Sequence, residues 1–90
     1  ITCLGWACNN GHYKVADYLL QRGADINLGR ISIRITPLFI ACESGYLDIV
    51  RLLIEKGVDI NKSDNYERIP LFIACEKGYL DIVKLLIEKR

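Results

Sequence analysis

LFIACESGYLDIVRLLIEK, Leu38 to Lys56, returns 33 residues later as LFIACEKGYLDIVKLLIEK, Leu71 to Lys89. The copies agree at 17 of 19 positions and differ only at Ser44 against Lys77 and Arg51 against Lys84. A looser copy, LGWACNNGHYKVADYLLQR, runs from Leu4 to Arg22, offset by 34 from the second. Self-similarity at a fixed period of this length marks an array in which each copy is one supersecondary unit. The 90 residues therefore divide into one domain of three units, approximately 1–28, 29–62 and 63–90.

Local chemistry makes each unit a helical hairpin. In the second, Thr36 offers a side-chain oxygen to a helix start and Pro37 has the φ of a first turn. Leu38, Ala41 and Cys42 lie three and four apart and form a buried stripe, small enough for a neighbouring backbone to approach. Gly45 ends that helix. The next begins near Leu47 and Asp48, with the carboxylate where the helix dipole favours it, and turns Ile49, Val50, Leu52 and Leu53 inward. Gly57 is read as a left-handed cap, after which Asp59 and Asn61 can bond the backbone of a turn. A single hairpin cannot bury its apolar face, so like units must stack.

Composition narrows the function classes. Twelve Lys and Arg against eleven Asp and Glu, interspersed, provide no basic face for nucleic acid and no acidic tail. The longest apolar runs are four or five residues, too short for a membrane span or a signal-peptide core. Lacking Met and opening inside a motif, the chain reads as a piece of a longer array. Four cysteines, Cys3, Cys8, Cys42 and Cys75, show no C-x-x-C spacing and share one His, His12, so no metal site is expected. Cys8, Cys42 and Cys75 recur at one repeat position. Stacked units hold such positions too far apart for a disulfide, and all four thiols are read as buried small hydrophobes of a reducing, intracellular compartment. His12 exchanges by repeat position with Tyr46 and Tyr79, and no Gly-rich phosphate loop is present. The chain is expected to be no enzyme and to need no cofactor.

These residues resemble the ankyrin repeat family. TPLFIA, Thr36 to Ala41, is close to that family's T-P-L-H-x-A, and GYLDIVRLLIEKGVDIN, Gly45 to Asn61, to its G-H-x-x-x-V-x-x-L-L-x-x-G-A-D-x-N. The likeness covers essentially the whole chain. It implies an all-α solenoid of stacked helix-turn-helix units joined by β-hairpin-like loops. Phe39 and Phe72 stand where the family has a His, so apolar packing replaces a polar contact between units. Gly5 takes that place in the first unit, Ile69 replaces the Thr of the third, and Glu67 replaces the turn Gly. Neither end has a polar capping unit, and both terminal faces are expected to expose apolar surface.

The resemblance also implies a function, a non-enzymatic scaffold binding a partner protein through hairpin tips and the concave inner-helix face. Mapped by motif, the inner helices offer Asn9 and Asn10, Glu43 and Ser44, and Glu76 and Lys77. The hairpin KSDNYER offers Asn65, Tyr66 and Arg68. Tyr and Arg suit an interface anchor, and the two Glu suit a basic stretch. The alternative is an assembly module whose uncapped ends stack on other chains or on further repeats.

One stretch departs from the rest. In NLGRISIRITPLF, Asn27 to Phe39, Ile31, Ile33 and Ile35 alternate with Arg30, Ser32 and Arg34, the period of a strand with one apolar face. It occupies the hairpin between the first two units, with one extra residue. Burying an isoleucine is worth about 1.5 to 3 kcal/mol, so these side chains should be covered. Two readings stand side by side. Either the isoleucines contact a partner while Arg30 and Arg34 steer an acidic rim, or the hairpin folds back and packs them on neighbouring turns.

Overall fold

Thr36 starts the middle hairpin as its position suggests: its Oγ1 accepts the Phe39 N–H at 3.2 Å, and Pro37 opens the helix. The computed structural model describes residues 2–26 and 35–90. These hold six helices and no strand: α1 (Cys3–Asn10), α2 (Tyr13–Gln21), α3 (Pro37–Ser44), α4 (Leu47–Glu55), α5 (Pro70–Lys77) and α6 (Leu80–Lys89). Thr2 caps α1, accepting the Gly5 N–H at 2.9 Å. Ile69 has no side-chain oxygen, and α5 begins without such a bond.

Gly11, Gly45 and Gly78 end the first helix of each pair in the left-handed region, at φ +73, +84 and +75. That turn folds the second helix back on the first. The pairs stack in two layers, α1 on α3 on α5 and α2 on α4 on α6, so the chain has an all-α repeat architecture.

The middle pair is enclosed from both sides. Pro37 to Cys42 are all buried, as are Ile49, Val50, Leu52 and Leu53 on the inward side of α4. The third pair, nearly identical in sequence, is not. Phe39 is 1% exposed and its counterpart Phe72 49%. Burial follows from position in the stack, and about 1 kcal/mol of hydrophobic stabilisation is left unrealised at Phe72. The cysteines divide the same way. Cys8 and Cys42 are buried, whereas Cys75 and Cys3 are exposed, which corrects the reading of all four as interior. The Cys42 position packs toward the third unit, and among the described residues no unit stacks on the Cys75 position.

Of the two readings of the isoleucines, Ile35 takes the packed one: it is 9% exposed and belongs to the core. It immediately precedes the Thr36 cap, where the chain enters α3. Its counterpart by repeat position is Arg68, which lies over Phe39, and the first unit's equivalent of Phe39 is the buried, bare Gly5. The strand-like alternation before it, with Arg30, Ile31, Ile33 and Arg34, lies outside the described residues.

Candidate interaction surface

The loop from α4 to α5 is built around one carboxylate. Val58 is buried and anchors its start, and Asp59 Oδ1 accepts the Asn61 N–H at 3.0 Å to set the first turn. Asp64, 5% exposed, then organises the tip. Its Oδ1 accepts the Tyr66 N–H at 2.8 Å and the Arg68 N–H at 3.0 Å. Oδ2 accepts from Arg68 Nε at 2.8 Å and pairs with Nη2 at 2.7 Å. The Asp64 N–H donates to the Arg68 carbonyl at 3.0 Å, closing the loop on itself. Glu67, in the place of the family's turn Gly, takes φ +62 to make the reversal.

Electrostatics follow from these bonds. Partial desolvation pushes the Asp64 pKa up. The Arg68 N–H and guanidinium, the Tyr66 N–H and the arginine charge together outweigh it and hold the carboxyl below its ordinary 3.8. The guanidinium in turn lies 5.4 Å from the Phe39 ring centre and 5.3 Å from that of Tyr66, within cation–π range of both. Held by Asp64 and stacked between two rings, Arg68 links the loop tip to the core of the second unit. Tyr66 projects beyond it, 71% exposed.

The inner helices supply the rest. Asn9 and Asn10 are exposed at the end of α1, Glu43 at the end of α3 with Ser44 half-buried, and Glu76 and Lys77 at the end of α5. Ser44 Oγ donates to Asn9 Oδ1 at 3.3 Å, bridging the first and second units, and Asn10 Nδ2 donates to the Trp6 carbonyl at 2.9 Å. The Asp64 hydrogen bond, and after it the Asp64, Glu76 and Glu43 charges, push the Arg68 pKa up. The structure thus joins Arg68 to Asp64 and Tyr66, pairs Asn9 with Ser44, and places Ile35 in the core. Asp64 was not among the residues expected at this surface; the D-x-x-x-R spacing of Asp64 and Arg68 was the available signal.

Among the described residues no three His, Cys, Asp or Glu side chains are grouped to hold a metal ion. No described helix is long and apolar enough to cross a membrane.

A family model for ankyrin repeats, in three copies, matches residues 4–90. The chain belongs to the ankyrin repeat family. Comparison with curated proteins gave no match. Ankyrin repeats generally mediate protein–protein interaction and are typically non-enzymatic. The ankyrin assignment accounts for the two-layer stack and the glycine-ended inner helices.

Proposed function

We propose that the chain is a non-enzymatic scaffold that binds a partner protein through the loop tip at Asn65, Tyr66 and Arg68 and the adjoining inner-helix ends. The single observation behind this is the placement of Tyr66. Among the described residues eight large apolar side chains are exposed, and seven of them sit on helices of the first and third units. Tyr66 alone stands on a connecting loop, and the Asp64 network orders its backbone. A preorganised aromatic loses little entropy on binding and is of the type that dominates interface energies. Glu43 and Glu76, whose charges act on Arg68, favour a partner segment carrying Lys or Arg, and Asn9, Asn10, Ser44 and Lys77 extend the surface along the inner-helix ends.

Affinity capture with the intact chain, Tyr66→Ala and a Glu43→Lys/Glu76→Lys double variant tests the reading. Partners captured by the intact chain should be lost from both variants while their unfolding midpoints stay close to the parent's. Partners retained by both would place binding elsewhere.

A further inference from the structure

Of the chain's asparagines, Asn9, Asn10, Asn27, Asn61 and Asn65, only Asn10 is followed by glycine. That pairing is chemically labile. With no side chain to crowd it, the glycine nitrogen can reach the preceding side-chain amide carbon, provided the backbone brings the two into a near-attack geometry. The second and third units have Ser44 before Gly45 and Lys77 before Gly78, so neither offers an amide at this position. In the first unit three contacts keep the reacting atoms apart. Asn10 closes α1, and the Gly11 N–H donates to the Ala7 carbonyl. Asn10 Nδ2 donates to the Trp6 carbonyl at 2.9 Å, which turns the amide back along the helix and away from Gly11. Over Gly11 itself lies Tyr46 of the second unit, three of its ring carbons 2.7 to 3.1 Å from where a glycine Cβ would stand. The Asn10 side chain is open to water, so geometry and not burial restrains it.

We propose that Asn10 and Gly11 form a site of spontaneous covalent modification, gated by the seat of Tyr46 on Gly11. When the ring lifts and the end of α1 loosens, the Gly11 nitrogen gives up its proton and bonds to Asn10 Cγ. The Cγ–Nδ2 bond breaks, and Nδ2 departs with that proton as ammonia, leaving a cyclic imide. Water then opens the ring at either carbonyl. Breaking the new N–Cγ bond leaves an aspartate; breaking the original peptide bond leaves an isoaspartate, whose main chain runs through Cβ and Cγ. Neither product restores the closed state. The aspartate has no Nδ2 hydrogen for the Trp6 carbonyl and places a negative charge in the last turn of α1, where the helix dipole opposes it. The isoaspartate adds a backbone atom before Gly11, so the glycine no longer meets both Ala7 and Tyr46. The reaction thereby turns a transient opening between the first two units into a lasting one, and it does not depend on the scaffold reading.

Peptide mapping by mass spectrometry tests this on the 90-residue chain, held at one mildly alkaline pH in native buffer and in unfolding guanidinium chloride. The mass gained when the amide NH2 becomes OH identifies the products, and chromatographic retention separates isoaspartate from aspartate. In guanidinium Asn10 should react before the other asparagines. In native buffer it should react at least about tenfold more slowly, because the rate follows the small population of the open form. Tyr46→Ala, with circular dichroism to establish folding, should raise the native rate at Asn10 several-fold and leave that at Asn61 unchanged, whereas Tyr46→Phe, which keeps the ring, should match the parent. The purified reacted chain should unfold at a lower temperature than the parent. An Asn10 that reacts as fast in native buffer as in guanidinium, a folded Tyr46→Ala chain that reacts no faster than the parent, or a reacted chain of unchanged midpoint overturns the proposal.

Discussion

Tyr79 lays its ring against Gly45 so closely that a Cβ on that glycine would stand 2.8 Å from the ring's Cζ. Tyr46 meets Gly11 in the same way, with Cε1 at 2.7 Å. The absence of a side chain is therefore part of the packing between units as well as of the turn.

Gly45→Ala and Gly78→Ala separate the two roles. Both sites have φ near +80, where a Cβ costs about 1 to 2 kcal/mol. Only Gly45 has a ring in the way, adding an overpacking cost of about 1 to 3 kcal/mol. Urea unfolding should show Gly45→Ala as the more damaging by at least about 1 kcal/mol. Equal losses would mean that Tyr79 moves aside without penalty.

Asp64→Ala should lower stability by about 2 kcal/mol near neutral pH, because the Tyr66 and Arg68 N–H groups lose their acceptor. The pH dependence has a definite sign. The folded-state pKa lies below the ordinary 3.8, so the carboxylate's contribution is complete above that value and is lost as pH falls through the folded pKa. The gap between parent and variant should hold steady from neutral pH down to about pH 5 and close below about pH 4. A gap that widened in acid would contradict the network.

Glu67 holds φ +62 without glycine's freedom. Replacing it by Gly should raise stability by about 0.5 to 1 kcal/mol, relief of the left-handed strain exceeding the added chain entropy. Thermal unfolding of Glu67→Gly would show this as a higher midpoint; a lower one would mean the Glu67 side chain contributes more than its backbone costs.

The thiols should react in two classes. Burial pushes Cys8 and Cys42 up to about 12, leaving almost no thiolate near pH 8, and closes them to reagents. Cys3 and Cys75 are open. Iodoacetamide in dilute, native solution should modify Cys3 and Cys75 promptly and Cys8 and Cys42 only on unfolding, with mass spectrometry locating each label. Prompt labelling of Cys42 would show that the middle unit opens.

The near-identity of Leu38–Lys56 and Leu71–Lys89, 33 residues apart, was enough to establish helix pairs, their caps and their stacking, because those depend on local spacing and turn chemistry. Thr36, Gly45, Gly57 and the buried side of α4 all behave as their positions demand. The site was less legible. Tyr66 and Arg68 were visible as residue types, but the stacking of Arg68 between Tyr66 and Phe39 joins residues 27 and more positions apart, and Ile35 carried the same alternation as Ile33 until its position beside the α3 cap placed it in the core.

What the chain's own letters determined was the repeating unit, since a period of apolar residues, a cap and a glycine act over a few residues wherever they occur. Which of two nearly identical units would be interior was settled only by assembly. Phe39 and Phe72 sit in the same local sequence, yet one is covered and the other open, because solvent exclusion is a property of the neighbours a side chain meets and not of the segment that carries it.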